Sequence, residues 1–165
     1  MPPHSLDPSY VKALRKLTER LKDTGIRWAI TGSLNHALQG LHLRPRDIDI
    51  KTDEQGVYAI ERFFMDCVTQ GVGFKESGSV RSHFGELTIE GVKVEIMGNV
   101  EIQTRDGRWE SPAEHETHIR FIEVEGMDVP VFSLEHEHRF SLMLGREERA
   151  KLLEELLMRK SAEQS

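Results

Sequence analysis

Asp47 and Asp49 stand two residues apart in "RDIDIK", residues 46–51. Side chains alternate between faces along a strand, so both carboxylates point one way while Ile48 and Ile50 point the other. The isoleucines suit a core and the acids suit the wall of a cleft. Like charges held this close repel, and a hard divalent cation with oxygen ligands, magnesium above all, relieves that repulsion. The competing reading is a half-exposed edge strand with Asp47 paired to Arg44 or Arg46. Asp-x-Asp alone is too short to decide between them. The two arginines flank the acids and are equally suited to phosphate contacts.

Upstream, "AITGSLNHALQG" carries an apolar strand into Thr31-Gly32-Ser33 and then into a short helix. Glycine allows close backbone approach and unusual dihedrals. A helix start offers unpaired N–H groups and the positive end of a dipole. The Ser33 hydroxyl adds a donor. Such a corner can hold nucleotide phosphates; it can also be a plain helix start with Ser33 as the N-cap. Downstream, "GVKVEIMG" alternates Val92, Val94 and Ile96 with Lys93, Glu95 and Met97. Glu95 therefore faces away from the core, as the aspartates do. If this strand lies beside residues 46–51, three carboxylates converge, and two close magnesium ions could be shared among them and a triphosphate. Lys93 points the same way, either as a salt-bridge partner or as a phosphate contact.

The elements that must position these groups follow from periodicity and caps. "LDPSYVKALRKLTERLKDTG" predicts a helix with Asp7 as cap, Pro8 in the first turn, an apolar stripe of Val11, Leu14, Leu17 and Leu21, and a stop at Gly25. A buried strand is expected over 26–31, a short helix over 34–39 ended by Gly40, and a second strand over 46–51. In "TDEQGVYAIERFFMDCV", Thr52 and Gln55 have capping-box spacing, and Val57, Ile60, Phe63, Phe64 and Cys67 fall on one helical face. "GELTIEGVKVEIMG" reads as a hairpin turning at Glu90-Gly91, with further strands at 119–124 and 128–132. From Ser133 the chain reads as helical. Leu142, Leu153, Leu156 and Leu157 supply apolar positions, and Gly145 divides the stretch into two helices. This order predicts an α/β (α+β) fold, a mixed sheet flanked by helices with a helical C-terminal tail. One domain is expected over 1–165, with a motif-bearing core at 26–97 and C-terminal helices at 133–160.

Composition narrows the classes. The chain has 165 residues, 30% of them charged and 38% hydrophobic, with a net charge of −6. That balance argues against a large basic nucleic-acid footprint. Cys67 is the single cysteine, which excludes an internal disulfide and a cysteine-based zinc site. No apolar run reaches membrane-spanning length and "MPPHSLDPSY" does not read as a signal peptide, so a cytoplasmic protein without membrane contact is expected. Histidines cluster in "EHETH" and "EHEH", with His115 and His118 neighbours on a helix, but neither segment has the His-Glu-x-x-His spacing. Both read as solvated helix surface. His83 reads as a packing or hydrogen-bonding residue, and Trp28 and Trp109 as packing. The charged "REERAKLLEELLMRK" reads as a solvated face over a core stripe, with a homodimer contact through its leucines as the second reading.

Taken together, a strand, Gly32-Ser33, a spacer over 34–46, Asp47-Ile48-Asp49-Ile50 and Glu95 in "VEIM" resemble the polymerase-β-like nucleotidyltransferase superfamily. The likeness covers residues 26–97. The whole chain, with "SHFGELTIEGVKVEIMG" and "SLEHEHRFSLMLGR", looks like its small stand-alone prokaryotic members, and its front half is similar to aminoglycoside and lincosamide nucleotidyltransferases and to nucleotidyltransferase toxins. The resemblance implies that Gly32, Ser33, Arg44 and Arg46 bind a nucleoside triphosphate. It implies that Asp47, Asp49 and Glu95 hold two Mg2+ ions, with Mn2+ as a substitute, and that Glu95 serves as general base. A hydroxyl of an acceptor would attack the α-phosphate, a small molecule fitting the net charge better than RNA or protein. A binding module without transfer and a toxin-like enzyme acting on RNA or protein are the alternatives. The third acid is Glu where Asp is usual, one methylene longer.

Overall fold

Asp7 accepts a hydrogen bond from the Ser9 amide and caps α1 (Pro8–Leu21), with proline in the first turn. The computed structural model describes residues 6–111 and 118–164. After α1 come β1 (Trp28–Thr31), α2 (Gly32–Leu38), β2 (Ile48–Thr52) and α3 (Glu54–Phe63). A 3-10 turn (Met65–Cys67) leads into the long strands β3 (Val68–Ser77), β4 (Val80–Ile89) and β5 (Val92–Gln103), followed by the short β6 (Trp109–Glu110). β7 (Ile119–Val124), β8 (Met127–Phe132), α4 (Leu134–Met143) and α5 (Glu147–Glu163) complete the described chain.

The eight strands make one sheet in the order β3-β4-β5-β2-β1-β8-β7, with β6 beside β5. β2 runs parallel to β5 and β1 parallel to β8, while the other pairs are antiparallel. This is the mixed sheet with flanking helices and a helical tail that the sequence predicts. The Glu90-Gly91 hairpin is present: Ile89 pairs with Val92, and both turn residues have positive φ, 52° and 76°.

Alternation sorts the two faces of the sheet. Ile48, Ile50, Val94 and Ile96 join Leu14, Leu17, Val57, Ile60 and Phe64 in a core under α1 and α3. Asp49 and Lys51 occupy the opposite face of β2, where α2 and α4 pack. A smaller cluster of Leu41, Leu134, Leu153 and Leu156 fastens α5 to α4 and to the segment after α2.

Several expectations need correction. Thr52 does not cap α3; it stays in β2 and donates its hydroxyl to the Arg27 carbonyl, and Asp53 is the cap, accepting from the Gly56 amide. Phe63 is 49% exposed because α3 ends there, while Phe64 is fully buried and Cys67 packs partly buried against the core. Leu142 is 52% exposed, so the apolar stripe of the tail rests on Leu134, Leu153 and Leu156. β3 has no counterpart among the strands the sequence predicts, because its glycines and polar residues suit an open, exposed edge. His115 lies outside the described residues. Among the described residues no helix is long and apolar enough to cross a membrane.

Candidate active site

Strand register brings the acids together. Asp49 is paired with Glu95 across the parallel β2–β5 ladder and with Thr31 across β1–β2. Asp47 lies just ahead of β2 on the same side. One carboxylate oxygen from each of Asp47, Asp49 and Glu95 lies within 4.8 Å of the other two, with all three residues partly buried. Among the described residues this is the one such group of metal-ligating side chains. Burial raises the Asp49 pKa to about 7, helped by the Glu95 and Asp47 carboxylates, while the Arg146 charge pulls the other way. The buried Oδ1 of Asp49 has no hydrogen-bond partner. Lys93 reaches Glu95 at 3.1 Å and Glu86 at 3.5 Å, an ion-pair arrangement at the half-exposed edge of the cluster.

The corner stands beside this cluster. Gly32 has φ 74°, and a Cβ built on it would fall 2.7 Å from Asp49 Oδ2, so glycine is needed both for its conformation and for the approach of the acid. Thr31, not Ser33, is the N-cap residue of α2. Ser33 Oγ accepts the Arg46 amide at 3.1 Å, which leaves its own O–H to donate. The Gly32 amide already donates to Glu137 at 2.9 Å, so that N–H is committed inside the protein. Tyr10 of α1 donates to the Arg46 carbonyl at 3.0 Å and holds the 45–46 segment. Its phenol pKa is raised by burial and by the negative charges of Asp47, Asp7 and Asp49.

The C-terminal helices contribute what sequence reasoning missed. Read as solvated surface, "EHEH" instead buries His136 and Glu137, each 1% exposed. Burial alone would raise the Glu137 pKa, but hydrogen bonds from His36 and Asn35 and the Lys51 charge hold it well below the ordinary carboxylate range. Lys51 is 2% exposed. Its Nζ lies 3.0 Å from His136 Nε2 and over the rings of Phe140 and Phe132 at 3.7 and 4.7 Å. Burial lowers the Lys51 pKa to about 8, and burial with the Lys51 charge lowers that of His136 to about 3.

Arg149 on α5 contacts His36 Nδ1 at 2.9 Å, and burial plus the charges of Arg146 and Arg46 lower its pKa. Arg46, Arg146 and Arg149 thus share one field beside the acids, whereas the Arg44 charge is felt at Asp7. No local spacing signals Arg146 or Arg149, since both read as ordinary charges of an exposed helix. His83 bonds Tyr58 Oη and Glu54 at 3.0 Å each, the hydrogen-bonding role expected of it.

The donor set suits a hard cation: three carboxylates, an acid pKa raised by burial and by its acidic neighbours, and an unpartnered buried oxygen. Against known proteins, a family model of aminoglycoside-2''-adenylyltransferase matches residues 13–157. A candidate nucleotidyltransferase from Thermotoga maritima has 46% identity, covers 95% of this chain and 98% of its own, and superposes with a TM-score of 0.83. The lincomycin-bound lincosamide antibiotic adenylyltransferase LnuA is 15% identical, with coverage of 93% and 99% and a TM-score of 0.59. ANT(2'')-Ia in complex with adenylyl-2''-tobramycin is 13% identical, with coverage of 92% and 99% and a TM-score of 0.51. At these identities the last two share the fold. No curated protein matches.

Proposed function

The chain belongs to the aminoglycoside-2''-adenylyltransferase family, a nucleotidyltransferase family, and on that premise we propose that it moves AMP from ATP to a hydroxyl of a small-molecule acceptor with the help of a divalent metal. The observation that carries this reading is the convergence of Asp47, Asp49 and Glu95 within 4.8 Å beside the Gly32–Ser33 corner.

Asp47, Asp49 and Glu95 would hold the metal, Mg2+ in the first instance with Mn2+ as its substitute. When bound, the metal would neutralise charge on the triphosphate and favour departure of the β- and γ-phosphates as pyrophosphate. The chain's own groups orient the reactants. The Ser33 hydroxyl donates to a phosphate oxygen. Arg46, Arg146 and Arg149 gather on one side of the acids and repel one another, and an anionic β- or γ-phosphate between them relieves that repulsion. Arg44 stands farther out, as an outer contact. The acceptor oxygen attacks the α-phosphorus and forms a new P–O bond. The bond from that phosphorus to the oxygen bridging to the β-phosphate breaks, and pyrophosphate leaves with the electron pair. The acceptor proton passes to the Glu95 carboxylate. Catalysis is positioning and charge stabilisation.

Family membership and the named acceptors of LnuA and ANT(2'')-Ia favour a small hydroxylated acceptor, and the net charge of −6 disfavours RNA. Residues 26–97 supply the acids, the corner, Arg44 and Arg46, residues 133–160 supply Arg146, Arg149 and Glu137, and the two act as one domain.

Calorimetric and thermal-shift titration of each nucleoside triphosphate, with and without Mg2+, tests this reading. ATP should raise the melting temperature only with the metal present, because a ligand of the folded state stabilises it by mass action. The Asp47→Asn/Asp49→Asn variant should lose the effect. Equal stabilisation without metal, or in the variant, would refute the assignment of the acids.

A further inference from the structure

Glu137 is a buried carboxylate on α4 that meets none of the acids or arginines given roles above, nor the Ser33 hydroxyl; it holds the Gly32 amide from behind. Every donor it meets belongs to one other place in the fold, the β1–α2 corner. Thr31 Oγ1 donates at 2.8 Å, the Gly32 amide at 2.9 Å and Asn35 Nδ2 at 2.9 Å, and His36 Nε2 lies 3.3 Å away. Thr31 makes no side-chain cap for α2, and Glu137 brings a carboxylate to that helix start from another helix instead. A buried charge in such a site is no efficient stabiliser, since an apolar residue of similar volume often serves a core as well or better. Its advantage here is geometric.

Two arms run from it. The first passes through Gly32 to Asp49, because the glycine lies so close that an added Cβ would come within 2.7 Å of Asp49 Oδ2. The seat of Gly32 therefore limits how far the Asp49 carboxylate can turn from Asp47 and Glu95. The second passes through His36 to Arg149. A guanidinium only donates, so His36 Nδ1 accepts from Arg149 at 2.9 Å and Nε2 carries the hydrogen that faces Glu137. Lys51, two residues past Asp49 on the same face of β2, balances the buried charge from below.

We propose that Glu137 is the positioning residue of the transfer site: from α4 it fixes the Gly32–Ser33 corner against Asp49 and aims Arg149 through His36, so that the acids meet a metal ion already in place. This rests on the metal-binding reading of Asp47, Asp49 and Glu95.

The test uses Mn2+ alone, titrated into the full chain and followed by electron paramagnetic resonance, with amide hydrogen exchange read at Gly32. Glu137→Gln keeps the shape but removes the charge and replaces one acceptor oxygen with an NH2, for which only the Thr31 hydroxyl among its partners can turn to accept. Ile60→Ala is a control of lowered stability in the core under α3, on the opposite face. Loss of an outer-shell partner weakens metal binding about tenfold or more, so Glu137→Gln should raise the Mn2+ dissociation constant by that factor and speed exchange at Gly32, with Ile60→Ala within about twofold of wild type. Thr31→Val removes one donor only and should weaken Mn2+ in the same direction but less; it also serves if Glu137→Gln does not fold. Wild-type Mn2+ affinity in both corner variants, or equal weakening in Ile60→Ala, would overturn the proposal. Absence of Mn2+ binding by the wild type would bring down the metal reading itself, and this proposal with it.

Discussion

Asp49 concentrates the chemistry of the site in one titration. Burial, then Glu95, then Asp47 raise its pKa to about 7, so near neutrality the metal-free protein holds a proton where the proposed cation would sit. Metal binding must expel that proton. Affinity for Mg2+ or Mn2+ should therefore climb by about tenfold per pH unit below 7 and level off above it, with one proton released per binding event. Calorimetry in buffers of different ionisation enthalpy counts the proton, and a flat pH dependence would contradict the shift. Gly32 answers to the same acid from the other side. Gly32→Ala meets a φ of 74° and an oxygen 2.7 Å from the new methyl group. It should cost about 1–2 kcal/mol in urea unfolding and weaken Mn2+ binding as well.

α3 docks on β5 through Gly98, on the face of the sheet that turns away from the acids. A Cβ there would lie 2.5 Å from Val57 Cγ1 and 2.7 Å from the Asp53 carbonyl, and a backbone carbonyl cannot swing aside. Gly98→Ala should therefore lower stability by about 1–3 kcal/mol, as overpacking does, and leave Mn2+ affinity unchanged. Urea midpoints beside the Mn2+ titration separate the two effects. Elements of this kind were readable where local rules govern them. Asp7-Pro8 announced α1, the Ile48/Ile50 and Val92/Val94/Ile96 alternation announced β2 and β5, and Glu90-Gly91 announced their hairpin partner's turn. The side that Asp47, Asp49 and Glu95 would share was legible for the same reason. Unreadable were the groups whose meaning depends on distant contacts. Glu137 meets Thr31 across 106 residues of chain, and a run of histidines and glutamates on a helix looks like solvated surface until Lys51 and the corner are packed beneath it. The role proposed for Arg146 and Arg149 depends on the cluster of Leu134, Leu153 and Leu156, which packs α5 against α4.

Across the whole molecule, the shifted groups oppose one another. His136 is pushed from 6.5 to about 3 by burial and by Lys51, so the unfolded chain takes up a proton there that the native state refuses. That contribution to stability is complete above 6.5 and is lost as the pH falls below it. Asp49 has the reverse sign. Its pKa rises from 3.8 to about 7, so the native state keeps a proton that the unfolded chain releases, and stability is lost as the pH climbs through that range. The ordinary value of Glu137 is 4.5 and its shift is downward, so it acts only in more acidic solution. Between pH 4.5 and 6.5 one proton is therefore gained and one withheld, and these two contributions cancel. Metal-free wild-type protein should show a nearly level stability over that window, whereas Asp49→Asn removes one side of the balance and should gain about 1 kcal/mol per pH unit as the pH rises. Urea unfolding of both proteins at the two ends of the window, in the presence of chelator, measures the difference. Parallel profiles would mean that Asp49 does not hold its proton in the native state, and the repulsion among Asp47, Asp49 and Glu95 would then be relieved by another route, through Lys93 at Glu95 and the Arg146 charge at Asp49.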